Sequence, residues 1–193
     1  MSLRPADLDR LFHALEEQLR LAAVRFELVV IGGSALEALG LVQRGTKDVD
    51  VLALRGPTDL EPADPLPDTL TEASTQVARD FNLPPDWLNA GPADLLRLGL
   101  PEGFWGRVVS RDYGPSLTIH FAGRLDQIHF KLYAMVDQSG GRHEADLRAL
   151  HPTPTELLEA AAWTQTQDPS EGFRTVLVLA LRTLGVQLAT PDQ

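Results

Sequence analysis

Two short apolar runs constrain the fold more than any other feature. Glycines follow the first run, and acidic residues begin the second. The first run, from Phe26 to Ile31, ends at Gly32-Gly33, and the second extends from Asp48 to Leu54. Apolar runs of this length bounded by glycine are typical of buried strands, and period-two alternation is typical of a strand with one buried face. The sequence therefore predicts two neighbouring strands joined through a glycine turn and a short helix.

Helical periodicity precedes and follows these strands. A first amphipathic helix is predicted from apolar residues at helical spacing: Leu8, Leu11, Phe12, Leu15, Leu19 and Ala22. A helix is predicted over 68–81, further strands over 107–110 and 116–121, and mostly helix beyond 125. Thr153-Pro154-Thr155-Glu156 has the residues of a capping box with proline at the first helical position. This order predicts an α+β fold, with a domain over 1–150 and a helical extension over 151–193 that packs on it.

Composition excludes some classes of protein. The net charge of −10 and pI near 4.9 argue against a large surface for nucleic-acid backbone, which would be basic. The absence of cysteine excludes disulfides and thiolate metal sites. The first residues lack the pattern of a signal peptide, and no apolar run approaches the length of a membrane span. We expect a cytoplasmic protein without a membrane partner.

The glycine turn is the first candidate binding element. A strand that ends in Gly32-Gly33-Ser34 and turns into a helix bends tightly and offers backbone N–H groups at the positive helix end. Phosphate oxygens suit that environment, and Ser34, placed to cap the helix, could add a hydroxyl donor. A glycine turn of this kind also occurs in many proteins without a ligand.

The acidic pair strengthens the interpretation. Alternate side chains of a strand share a face, so Asp48 and Asp50 are expected to project together about 6 to 7 Å apart, with Val49 and Val51 in the core. Neighbouring carboxylates repel each other but suit Mg²⁺, which takes a few carboxylates together with water and nucleotide phosphates. The alternative is an exposed edge strand with solubilising charges.

Together these motifs resemble the nucleotidyltransferase superfamily with the DNA polymerase β-like fold. The resemblance rests on Gly-Gly-Ser followed by Arg44-x-Thr46-x-Asp48-x-Asp50, and it is greatest with the small prokaryotic branch of abortive-infection and toxin–antitoxin nucleotidyltransferases. The segment over 83–89 is similar to one in uncharacterised relatives. Asp126-x-x-x-x-Lys131 and the later segment over 142–150 are similar to the family's stretch in which a helix lysine and a later aspartate face the cleft.

The resemblance implies a nucleotidyltransferase-like mixed sheet flanked by helices and assigns roles to residues. Asp48 and Asp50 would be catalytic and would hold Mg²⁺, and a nucleoside triphosphate would be the substrate. The residues implied to bind the nucleotide are Gly32, Gly33 and Ser34 at the triphosphate, with Arg44, Thr46 and Lys131 in support. For Lys131, the alternative is an ion pair with Asp146 that is purely structural.

The chain departs from the family pattern at the third acidic residue. The matching strand is Leu117 to Phe121, and alternation places His120 where a carboxylate is expected. A histidine can act as a base but is a poor ligand for Mg²⁺. Asp112 would be the substitute if the register differed, and a structural histidine is the other interpretation.

Two functions follow as hypotheses. The first is Mg²⁺-dependent transfer of a nucleoside monophosphate from an NTP to an acceptor that the sequence does not identify among RNA, protein and small molecules. The second is a catalytically impaired protein of the same fold that binds nucleotide or regulates a partner, as in a toxin–antitoxin pair. A cognate antitoxin or a second copy of the chain would then be the partner.

Overall fold

The computed structural model describes residues 3–138 and 141–186. Within this part of the chain the fold is α+β, as predicted, with eight α-helices and one mixed sheet. The strands are β1 (Phe26–Ile31), β2 (Val49–Arg55), β3 (Leu60–Pro62), β4 (Leu88–Asn89), β5 (Val109–Gly114) and β6 (Leu117–Phe121). The helices are α1 (Pro5–Leu21), α2 (Gly32–Ala38), α3 (Asp68–Phe81), α4 (Phe104–Arg107), α5 (Arg124–Asp137), α6 (Arg142–Ala149), α7 (Pro154–Gln167) and α8 (Glu171–Thr183).

The sheet has the order β3-β2-β1-β6-β5, and β4 also pairs with β2. The central strand β1 runs antiparallel to β2 and parallel to β6. Its register opposes Ile31 to Asp50 and Val29 to His120. Because opposed residues share a face, this register places the start of β2 beside the glycine turn that ends β1.

The chain forms two compact units, Met1–Gly123 and Arg124–Gln193. The core of the first unit joins α1 and α3 to the sheet, with Phe12, Val51, Trp87 and Phe121 completely buried. The indole N–H of Trp87 donates to the Ser74 carbonyl oxygen at 2.9 Å, so its one polar atom is satisfied inside the core. This core supports the sheet on which the candidate site lies.

The second unit contains α5 to α8. The predicted capping box begins α7: Thr153 accepts from the Glu156 N–H, and the Glu156 carboxylate accepts from the Thr153 N–H at 2.8 Å. Arg124 also donates to Glu156 at 2.6 Å, and this hydrogen bond is the main cause that lowers the Glu156 pKa to about 2. The predicted domain boundary at residue 150 lies inside this unit, and residues 187–193 of the predicted extension lie outside the described part.

Most predicted elements agree with the structure, and short ones differ. The predictions for 26–31 and 68–81 match β1 and α3 residue for residue. The strand predicted over 107–110 begins at Val109, because α4 ends at Arg107, and it continues to Gly114 as β5. The three-residue β3 was not predicted. None of the described helices combines the length and apolarity needed to span a bilayer.

Candidate functional site

The glycine turn and the acidic strand meet at the end of β1. Gly32 adopts φ +73°, which lets the chain leave Ile31 and enter α2 at once. A Cβ at Gly32 would overlap the Asp50 carboxylate oxygen Oδ2, so the absent side chain is what allows this close approach. The predicted neighbours Gly32 and Asp50 are therefore in contact.

Four more of the predicted residues lie at the same place: Gly33, Arg44, Thr46 and Asp48. A Cβ at Gly33 would be 2.8 Å from Thr46 Oγ1 and 3.3 Å from Arg44 Nη2. The Thr46 hydroxyl lies 3.2 Å from the Asp48 carbonyl oxygen and 3.4 Å from its carboxylate Oδ1. The structure thus brings hydroxyl, carboxylate and guanidinium groups together around the glycine turn.

Alternation along the acidic strand is confirmed. Val49 and Val51 are completely buried in the core, whereas Asp48 and Asp50 are half-buried. The strand itself begins at Val49, so Asp48 immediately precedes it. Both carboxylates therefore lie at the water-facing start of the strand, on the side away from the core.

A buried glutamate fixes the segment that carries Arg44 and Thr46. The Glu37 carboxylate, on α2 and only 1% exposed, accepts from the backbone N–H groups of Arg44 at 2.6 Å and Gly45 at 2.5 Å. On the other side of the segment, Thr46 exchanges two backbone hydrogen bonds with Leu3. The position of Arg44 and Thr46 is thereby set by α2 and by the start of the chain.

Glu37→Ala should lower the free energy of unfolding by about 2–4 kcal/mol, because two backbone N–H groups would lose their acceptor. Glu37→Gln keeps an acceptor oxygen at the same reach and should cost less than half as much. Urea unfolding of both variants measures the difference. Equal costs for the two substitutions would contradict this role of the carboxylate oxygen.

The predicted N-cap at Ser34 is wrong. Helix α2 begins at Gly32 with Ile31 as its N-cap residue, because the left-handed conformation of Gly32 turns the chain two residues earlier. Ser34 therefore lies within the helix, completely buried, and its hydroxyl donates to the Ile31 carbonyl oxygen at 3.4 Å. Its contact with phosphate stays a prediction.

His120 lies on β6 and has both ring nitrogens engaged. Nδ1 is 2.7 Å from the Ser110 hydroxyl, and Nε2 is 3.0 Å from the Glu27 carboxylate. The side chain is buried, 3% exposed. Asp112, the proposed substitute, accepts from the Thr118 hydroxyl at 2.7 Å. In this arrangement His120 serves two side-chain partners and presents no lone pair to a metal ion.

Lys131 belongs to the second unit. Its ammonium lies 2.7 Å from the Asp146 carboxylate, and both side chains are buried. The ion pair with Asp146, which the sequence offered as the structural alternative for Lys131, is therefore present. A role for Lys131 at phosphate stays a prediction.

The oxygen donors at the glycine turn fit a magnesium ion that shares its coordination with a nucleotide. Across residues 3–138 and 141–186, no three acidic or histidine side chains are grouped so as to hold a metal by themselves. Mg²⁺ does not need such a cage, because it commonly takes one or two carboxylates and completes its shell with water and phosphate oxygens. Asp48 and Asp50, with the Thr46 hydroxyl beside them, form a donor set of that kind.

Glu37, Glu27 and Ser110 take part in these arrangements but were not predicted. The signal for each glutamate was an acidic residue inside an otherwise apolar segment, Ala35-Leu36-Glu37-Ala38 and Phe26-Glu27-Leu28. Ser110 carried no local signal, since its partner His120 is ten residues away on the paired strand.

No protein-family model, curated protein or solved structure matches this chain, so its function is inferred from the geometry of its own residues.

Proposed function

We propose that this chain is a Mg²⁺-dependent nucleotidyltransferase. The observation that carries the proposal is the contact between the Gly32-Gly33 turn and Asp50, with Asp48, Thr46 and Arg44 beside it. Binding a metal–nucleotide complex requires carboxylates for the metal, a turn without side chains and a guanidinium for phosphate.

The chemistry follows from these groups. Asp48 and Asp50 would hold Mg²⁺, which neutralises phosphate charge when bound. Arg44 would bind phosphate oxygens through its planar guanidinium, and Glu37 keeps the Arg44 backbone in place. An acceptor hydroxyl oxygen would form a bond to the α-phosphorus, its proton would pass to solvent, and pyrophosphate would leave with the electrons of the broken P–O bond.

A second candidate is a protein that binds the nucleotide without transferring it. The observation that favours it is His120, whose ring nitrogens are both occupied, on the strand where the family pattern places a third carboxylate. On this hypothesis the site would serve regulation of a partner such as a cognate antitoxin.

The test measures transfer and binding separately. Each α-³²P-labelled NTP is incubated with Mg²⁺ and with total tRNA, a small-molecule hydroxyl panel or the protein alone, and label transfer is counted. We expect Asp48→Asn with Asp50→Asn to reduce transfer at least 1000-fold, because the metal would lose both carboxylates.

Asp80→Asn with Asp94→Asn removes the same charge elsewhere on the first unit and should leave transfer unchanged. Calorimetry with a non-hydrolysable NTP analogue then separates the two candidates. Mg²⁺-dependent binding that the double variant loses, without transfer to any acceptor, would favour the binding protein. If the wild type neither binds nor transfers nucleotide, both candidates are wrong.

A further inference from the structure

Three side chains form a hydrogen-bonded row across neighbouring strands of the first unit. Ser110 on β5 is opposed in register to His120 on β6, and its hydroxyl lies 2.7 Å from Nδ1. On the other side of the ring, Nε2 lies 3.0 Å from the Glu27 carboxylate on β1. The row thus runs hydroxyl, imidazole, carboxylate, and it is separate from the glycine-turn site.

The carboxylate determines which ring nitrogen carries the proton. Glu27 is also paired with Arg25 at 3.0 Å and lies 3.8 Å from Arg55, and its hydrogen bond with His120 is the main cause that lowers its pKa. An ionised carboxylate can only accept, so Nε2 must donate the N–H. In the neutral ring Nδ1 then holds the lone pair and accepts from the Ser110 hydroxyl.

Exposure differs along the row in a way that suits nucleophilic attack. His120 is buried, whereas Ser110 is exposed on β5, which ends the described sheet. The Trp105 ring, 43% exposed, stands edge-on to His120 with centroids 5.5 Å apart, and it lines an open groove with residues 55–60 and Leu96. The Ser110 end of the row is therefore exposed, and an exposed aromatic ring contacts the imidazole to which Ser110 is hydrogen-bonded.

We propose that Ser110 is an activated nucleophile toward carboxylic esters that carry an apolar or aromatic group. A positioned acid, imidazole and hydroxyl activate serine in unrelated folds, recognised by geometry and not by sequence order. Here His120 is the base and Glu27 is a positioning residue. The aromatic surface of Trp105 is suited to the apolar part of the ester.

The step balances with water as the second reactant. The Ser110 oxygen bonds to the ester carbonyl carbon while its proton moves to His120 Nδ1. The carbon–oxygen bond to the alcohol breaks, and the alcohol leaves with that proton, which yields an acyl-serine. Water, deprotonated by His120, then releases the carboxylic acid and restores the Ser110 hydroxyl.

A fluorophosphonate probe tests the proposal directly, because an activated serine displaces its fluoride and forms a stable bond to phosphorus. Intact mass and peptide mapping of the whole chain should show one adduct, on Ser110. Ser110→Ala should reduce the labelling rate at least 100-fold, while Ser170→Ala, which removes an exposed helix-capping serine, should leave it unchanged. Release of p-nitrophenolate from p-nitrophenyl butyrate should follow the same pattern.

Glu27→Gln tests the positioning role. The charged groups that contact the row are Glu27, Arg25 and Arg55, so removing the carboxylate makes the surroundings more positive and should move the labelling-rate midpoint to lower pH. A merely structural role would lower stability without moving the midpoint.

Two results would overturn the proposal: no adduct on the folded wild-type protein, or equal labelling of Ser110→Ala.

The proposal is independent of nucleotidyl transfer, because β1 and β6 separate Ser110 from Asp50. The three strand spacings from β5 to β2 amount to a distance of about 14 Å. Asp48→Asn with Asp50→Asn should therefore leave labelling intact.

Discussion

Gly32→Ala should weaken Mg²⁺-dependent nucleotide binding about 30-fold or more while lowering the free energy of unfolding by only about 1–2 kcal/mol. The added methyl group would occupy the place of Asp50 Oδ2. That oxygen is the end of a half-buried side chain, so it can rotate away at modest energetic cost. The displaced carboxylate would no longer be available to the metal at the glycine turn.

Gly40→Ala is the matched control. Gly40 has φ +68°, close to the +73° of Gly32, but a Cβ there would have no atom within 4 Å. Both substitutions therefore impose the same backbone strain, and only Gly32→Ala disturbs Asp50. Calorimetry with the NTP analogue and urea unfolding measure the two effects separately.

The comparison has a clear negative outcome. If Gly32→Ala and Gly40→Ala bind nucleotide equally well, the position of the Asp50 carboxylate is not needed for binding. If Gly32→Ala is much less stable than Gly40→Ala, the Asp50 carboxylate cannot rotate away, and the backbone must move to relieve the overlap.

Local sequence patterns predicted the parts of the fold that local physics controls. The glycine stop defined the end of β1, and the alternation of Asp48, Val49, Asp50 and Val51 predicted which side chains enter the core. These predictions succeed because burial and backbone conformation depend on neighbours two to four residues apart.

Elements and contacts that depend on distant partners could not be predicted in this way. The two-residue β4 exists because Leu88 and Asn89 pair with β2, some forty residues earlier in the chain. The environment of His120 likewise depends on Glu27, which is 93 residues away. Alternation gave the face of His120 but not the partners that occupy both its nitrogens.

The candidate site also combines features that local sequence predicts with contacts that depend on distant residues. Spacing alone suggested that the glycine turn meets Asp50, and the structure places them in contact. The anchoring of Arg44 by Glu37 was not visible, because a lone glutamate in an apolar helix does not identify the backbone groups that it will accept from. Anchoring residues of this kind are found from contacts and not from motifs.

Lys131→Met should lower the free energy of unfolding by about 3–5 kcal/mol, the typical cost of leaving a buried charge without its partner. The Lys131 ammonium lies 2.7 Å from the Asp146 carboxylate, and the two side chains are 7% and 1% exposed. Removing the ammonium alone leaves the buried Asp146 carboxylate without the cation that offsets the cost of its burial. Urea unfolding at neutral pH measures the loss.

Two further variants separate the pair from its surroundings. Lys131→Met with Asp146→Leu replaces both charges with apolar groups and should recover most of the lost stability, because no unpaired charge remains. Glu144→Gln breaks the exposed Glu144–Arg148 pair on α6, and we expect a cost of only about 0.5 kcal/mol.

The same variants decide between the two roles considered for Lys131. An ammonium that is held by Asp146 for stability predicts a large loss in the single variant and recovery in the double variant, whether or not nucleotide is present. An ammonium that serves phosphate predicts a small loss of stability and a large loss of nucleotide binding, with no recovery of binding in the double variant. Because the observed pair is short and buried, we expect the first outcome, in which the charge of Lys131 contributes to the second unit's stability.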